Sequence, residues 1–231
     1  MNRFILLLFF VTCNMPLLTS NAQHMIFAHT DTLSVYDITD RPMQLACGTM
    51  PDTANHQIKL CVAAAFTGKC LDSFSHSNIL GTHVVEGVPY EGYQETPEHY
   101  GFFASWGSKK AIFDGATPEV MKLLQEAGGM GFTQYWVIRQ GKVYLPERQK
   151  VKQEYYRCIA QKGSRTYIIE SKEIVAYNTF LELLMHFGVE NALYLDMGRG
   201  WNHSFFRDSD GEVHILHPYA HPYCTNWIVV L

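Results

Sequence analysis

The run Leu193-Tyr194-Leu195-Asp196-Met197-Gly198-Arg199-Gly200-Trp201-Asn202 gathers the most chemically suggestive residues of the chain. An apolar stretch of strand character ends in a carboxylate, and two glycines then allow a tight turn or the close approach of a ligand to the main chain. A strand end fixes a carboxylate in space, which a reactive group requires. The competing reading is an aspartate that caps a turn. Other chemistry-bearing residues are weaker signals. His214, His217 and His221 invite a metal reading, but they fall on a strand and a Pro-containing loop without carboxylate support, so no metal is expected. Asp208-Ser209-Asp210-Gly211 has fragments of a calcium loop, lacks the distant Glu, and reads as a hairpin turn. Asn202-His203-Ser204 fits an N-glycosylation acceptor, which would be awkward inside a cleft.

The elements that position these residues follow from periodicity and punctuation. Residues 24–38 and 57–66 read as strands. Residues 72–108, rich in Gly, His, Tyr and Glu with weak periodicity, read as a long excursion around a hairpin. Thr117 before Pro118-Glu119 is a helix start, Val120, Leu123, Leu124 and Ala127 form its buried stripe, and Gly128-Gly129 ends it. Tyr135 to Ile138 and Val143 to Leu145 form a hairpin about Arg139-Gln140-Gly141-Lys142, and residues 155–160 and 165–170 form two further strands. Thr179-x-x-Glu182 is a capping box, placing a helix over Phe180 to Phe187 with a stop at Gly188. The strand Ala192 to Leu195 then delivers Asp196. This alternation predicts a single α+β domain with a mixed β-sheet and a few flanking helices.

The amino terminus carries Arg3, the apolar run Ile5 to Val11 and the small-x-small signal Ser20-Asn21-Ala22, the order of a cleavable secretory signal peptide. Residues 1–22 are therefore expected to be removed, leaving a secreted or periplasmic domain over residues 23–231. No apolar run reaches the roughly 20 residues of a spanning helix, so no transmembrane segment is expected. The formal net charge of −4, one unit more negative without Arg3, argues against nucleic acid as a partner. Aromatic content of 13% with only 17% charged residues suits a β-rich core beside an aromatic-lined cleft. After cleavage Cys47, Cys61, Cys70, Cys158 and Cys224 remain, an odd number. Cys61 and Cys70 flank a short Gly-containing loop and are the pair expected to bridge, with buried free thiols as the alternative.

Several segments, in order from about Leu60 to the carboxyl end, resemble the phosphodiester glycosidase family. Gly128-Gly129-Met130-Gly131 through Val137-Ile138-Arg139-Gln140-Gly141-Lys142 is similar to its glycine-rich segment, strand and Gly-Lys turn. Tyr156-Arg157-Cys158-Ile159-Ala160 resembles its Arg-Thr-Ala strand. Gly188 to Asp196 resembles the approach to its Leu-Asp-Gly-Gly signature, and Thr225-Asn226-Trp227-Ile228 its closing strand. Met197 stands where the signature's first glycine would be, and the expected serine is displaced to Ser204, so the chain looks like a divergent, bacterial-type branch.

The resemblance implies a hydrolase that cleaves a sugar from a sugar-1-phosphodiester, with a phosphorylated glycan as substrate and no cofactor. Such cleavage passes through an oxocarbenium-like state and releases a phosphate that needs less protonation than an alcohol. Asp196 is then the candidate nucleophile, base or oxocarbenium stabiliser. Arg157 offers a planar fork for the phosphate, or else pairs with a carboxylate on a neighbouring strand. Glu170 is the candidate second carboxylate. Gly129, Gly198, Gly200, Asn202, His203 and Ser204 are candidate substrate-binding residues, the last three with loop bracing as the alternative. Arg157, Asp196 and Gly129 are expected to converge on one cleft. A non-catalytic envelope or glycan-binding protein that keeps the fold is the second functional reading.

Overall fold

The computed structural model describes residues 27–29, 31–70, 73–94, 96, 99–144, 152–219 and 223–231. The expected signal segment, residues 1–22, together with Leu145 and His221, lies outside them. In chain order the strands are β1 (Phe27–His29), β2 (Leu33–Asp37), β3 (Met43–Cys47), β4 (Leu60–Ala63), β5 (His83–Val85), β6 (Val88–Tyr90), β7 (Tyr100–Trp106), β8 (Lys109–Phe113), β9 (Met130–Arg139) and β10 (Lys142–Val143). They continue with β11 (Gln153–Glu154), β12 (Arg157–Lys162), β13 (Arg165–Ser171), β14 (Val175–Ala176), β15 (Asn191–Tyr194), β16 (Ser204–Arg207), β17 (Val213–Leu216) and β18 (Asn226–Val230). Two α-helices interrupt them, α1 (Pro118–Ala127) and α2 (Tyr177–Phe187).

The larger sheet runs β1-β2-β13-β12-β15-β9-β5-β6, with β7 and β8 attached through β9 and β10 beside it. The second runs β17-β16-β4-β18-β3, and β11 pairs with β14 alone. Pairings between the described strands are antiparallel, so the fold is α+β but strand-dominated, and antiparallel ladders replace the mixed sheet expected from sequence. Hairpins account for part of the difference: β1–β2, β5–β6, β7–β8, β9–β10, β12–β13 and β16–β17 follow one another within a few residues, a connection that antiparallel pairing permits and parallel pairing does not.

One hydrophobic cluster draws Leu45, Val62 and Ile228 from the smaller sheet and Phe132, Ile159 and Leu193 from the larger, so the two sheets share a core. The period of two along a strand divides β12 cleanly. Ile159 enters that shared core, while Cys158 and Ala160 face a second cluster with Tyr177, Phe180 and Leu184 of α2. By the same alternation Arg157 and Glu170 point between the sheets, and Ser204 of β16 meets them from the opposite side. Helix α1 lays Val120 and Leu124 on Phe102 and Ala104 of β7.

Several local expectations need correction. Helix α1 starts at Thr117, whose hydroxyl accepts the Val120 N–H, as expected. Helix α2 instead begins three residues before Phe180, with Ala176 at its N-cap and no side-chain cap bond, so Thr179-x-x-Glu182 is not a capping box. Pairing of β14 with β11 carries the chain straight into the helix, and burial of Tyr177 against Tyr156 fixes that entry. The excursion over residues 72–108 contains β5, β6 and the buried seven-residue strand β7. Cys61 and Cys70 are not bridged: Cys61 is buried on β4, whereas Cys70 is exposed beyond a turn tied to Asn78 by the Gly68 N–H.

Candidate active site

The site grows from adjacent strands β13, β12 and β15 of the larger sheet, where β12 begins beside the ends of β13 and β15. Register places Arg157 opposite Glu170 and Cys158 opposite Tyr194, so Arg157, Glu170 and Asp196 must converge. The Leu195 N–H donates to the Arg157 carbonyl at 2.9 Å, and the Asp196 N–H donates to the Ala64 carbonyl at 2.9 Å. Asp196 thereby leaves the larger sheet and is stitched to the segment that follows β4 of the smaller one.

Asp196 is only 7% exposed. Burial pushes its carboxyl up to about 7, against hydrogen bonds from the Gly198 and Thr67 backbone and the positive charge of Arg157. The Gly198 N–H reaches Asp196 Oδ1 at 3.1 Å. A carboxyl in that range exchanges a proton near neutral pH, as acid–base chemistry demands.

Arg157 is fully buried. Its Nε donates to Glu170 Oε2 at 2.8 Å and its Nη1 to Ser204 Oγ at 2.9 Å, while Nη2 is buried without a partner among the described residues. The pairing with a neighbouring-strand carboxylate, weighed as the alternative to a phosphate contact, is therefore present. Glu170 also bonds His217 Nε2 through Oε1. Burial alone would raise the Glu170 carboxyl, but Arg157 and His217 outweigh it and hold the group below its ordinary range. Glu170 thus serves as counter-charge to a sealed guanidinium.

Ser204 is buried, accepts from Arg157 and from the Ala63 N–H at 3.2 Å, and donates to the Asn202 carbonyl at 2.7 Å. The His203 carbonyl takes the Trp227 indole N–H at 3.0 Å, and the His203 Nδ1 is buried without a partner among the described residues. These bonds brace the loop. With Asn202 7% exposed and Ser204 enclosed, the glycosylation pattern is inaccessible.

A cleft of about 430 Å³ opens beside this network, lined by Tyr155, Met197, Arg199, Asn202, His217 and Tyr219 among others. Gly200 lies on its wall at φ +84°, where an added Cβ would come within 2.9 Å of the Tyr223 ring. Gly198 packs against Trp201 in the same turn, closed by the Trp201 N–H on the Gly198 carbonyl at 2.7 Å. A second cleft of about 410 Å³ includes Tyr36, Glu170 and Lys172 and shares Tyr155, His217 and Pro218 with the first. The edge-on contact of Tyr155 with His217, at 4.7 Å between ring centres, forms the shared wall.

Gly129 falls elsewhere: it follows α1, packed on Leu124 and the Ser105 carbonyl, with its own carbonyl bonded by the Gly87 N–H. It does not line the cleft. Arg199, Tyr155, Tyr219 and His217 line the cleft although none of them is a site candidate by sequence. A basic residue between two glycines was the available signal for Arg199. His217 carried none, because its role depends on a Glu170 contact 47 residues away. His214 bonds Asp208 instead, inside the hairpin turn expected at Asp208–Gly211.

No family model matches the chain, and no curated protein matches it significantly. Among solved structures, it is similar to the catalytic domain of zebrafish N-acetylglucosamine-1-phosphodiester alpha-N-acetylglucosaminidase, auto-inhibited by its pro-peptide. That match has a TM-score of 0.58 at 12% identity and covers 86% of this chain and 76% of that one. A hypothetical protein from Synechocystis gives a TM-score of 0.52 at 12% identity, over 88% of this chain and 60% of that one. Both likenesses are of fold.

Proposed function

We propose that the chain is an exported hydrolase that releases a sugar from a sugar-1-phosphodiester of the N-acetylglucosamine-1-phosphodiester kind. The observation that carries the reading is Asp196, a buried carboxyl raised to about 7, whose chain neighbour Met197 lines a polar and aromatic cleft. The fold likeness to a phosphodiester glycosidase catalytic domain supports the substrate class. In this reading Asp196 acts as general base. Water adds to the anomeric carbon, its proton passes to the Asp196 carboxylate, and the bond from that carbon to the phosphate oxygen breaks as the phosphate departs as an anion. Arg157, locked by Glu170 and Ser204, contributes positive potential from behind the wall and helps hold Asp196 in place. Export rests on residues 1–22 and their signal-peptide order.

The glycan-binding alternative draws on Met197, which is buried where a family glycine would give room, and on the enclosure of Arg157. Incubation of residues 23–231 with a panel of sugar-1-phosphodiesters and neutral aryl glycosides decides between the two. Free sugar from the phosphodiesters is the expected result; binding without turnover across the panel establishes the alternative.

A further inference from the structure

Accepting the phosphodiester reading, an anionic group must be met somewhere in the cleft, and Arg157 is poorly placed to meet it. Its side chain is fully buried, with Nε and Nη1 already engaged. We infer that Arg199 is the residue that receives the phosphate of a sugar phosphate, in a subsite with Tyr219 behind its guanidinium and Asn202 and His217 on the same wall.

Charge accounting leads there first. Arg199 is exposed, lines the cleft and has no carboxylate partner among the described residues. The acidic group on the same lining, Glu154, is paired with Lys152 at 2.6 Å. His217 is bonded to Glu170, which itself faces Arg157. Among the described residues of the lining, the uncompensated full charge is therefore the Arg199 guanidinium.

Placement supports the same role. The Arg199 guanidinium carbon lies 5.6 Å from the centre of the Tyr219 ring, within cation–π range, and its planar fork of donors suits an oxyanion. Its backbone is held on both sides: the Trp201 N–H closes on the Gly198 carbonyl at 2.7 Å, and the Tyr223 N–H bonds the Gly200 carbonyl at 2.6 Å. A guanidinium on so fixed a turn loses less freedom on binding. Arg199 also follows Asp196 by three positions, so one short turn carries both the carboxyl for the sugar end and the cation for the phosphate end. Aromatic rings of Tyr155 and Tyr219 supply the apolar faces a sugar ring covers.

The test is calorimetric binding of N-acetylglucosamine 1-phosphate, N-acetylglucosamine and inorganic phosphate to the wild type, Arg199→Gln and Arg199→Lys, with melting curves run alongside. Arg199 is exposed, so both variants are expected to melt with the wild type. Arg199→Gln should weaken the sugar phosphate roughly 10-fold or more and leave the neutral sugar unchanged. Arg199→Lys should restore part of the loss, since charge returns without the planar fork. Unchanged sugar-phosphate affinity in Arg199→Gln overturns the inference, even if the phosphodiester panel is turned over. Inorganic phosphate binding as tightly as the sugar phosphate overturns the sugar part of the subsite. Arg199-dependent sugar-phosphate binding with no turnover of the panel sinks the hydrolase reading and leaves the subsite standing.

Discussion

A carboxyl that titrates near 7 in the folded chain and near 3.8 in an open one binds more protons when folded throughout that interval. Stability must then decline as pH rises from about 4 to about 7, and Asp196 costs the fold most where it is ionised. Asp196→Asn keeps the size and still offers an oxygen to the Gly198 N–H, but removes the buried charge. The variant is expected to be more stable than the wild type at pH 8 by about 2–4 kcal/mol, with the gap closing toward pH 4. Its turnover should fall roughly 10²-fold or more. Melting curves at several pH values beside rate measurements give both numbers; a lower melting point with turnover intact would reduce Asp196 to a turn cap. Asp196 was legible because chain-local features mark it, an apolar strand followed by two glycines. The partners of Arg157 were legible only as a choice, since Glu170 and Ser204 stand 13 and 47 residues away and nothing local says which of them a buried guanidinium meets.

Strand β15 leads into Asp196, and its position depends on a close passage at Gly101. A Cβ there would lie 2.7 Å from the Trp136 ring and 2.8 Å from Leu193 Cδ2, both inside van der Waals contact. Gly101→Ala should therefore cost about 1–3 kcal/mol and lower turnover by displacing Leu193, three residues ahead of Asp196; denaturant titration and kinetics on the same preparation measure the two effects. No clash at this site would mean that the strands have more room than the packing indicates. Elements with their own punctuation were readable in advance: α1 between Thr117 and Gly128, the β9–β10 turn, and the stop of α2 at Gly188. Strands β3 and β7 were not. β7 is buried at five successive positions, Gly101 to Ser105, so it lacks the alternation that marks a half-exposed strand. The true start of α2 was hidden because its entry is set by β11 pairing and Tyr177 burial rather than by a cap.

At the scale of the molecule, the thiols report how closely the two sheets pack. Burial pushes the Cys47 and Cys224 thiols up to about 12 and those of Cys61 and Cys158 higher still, while Cys70 is exposed. Alkylation of the native mature chain should label Cys70 at least about 10-fold faster than any other cysteine, with Cys61 and Cys158 reacting only in denaturant. Mass spectrometry of a time course checks the order, and early labelling of Cys158 would mean that the face under α2 opens readily. The α+β class was readable from the alternation of elements, but the antiparallel pairing and the division into separate sheets were not, because they follow from pairings between distant segments. Strand β18 shows this most plainly: it lies between β3 and β4, and the Asn226 side chain bonds both the N–H and the carbonyl of Ala65, 161 residues earlier. The smaller sheet consequently has an order in time. Its early strands emerge with unpaired edges and must wait for a strand made at the far end of the chain, so closure is a slow, late event and a nascent chain that stalls before residue 226 presents sticky edges to its neighbours.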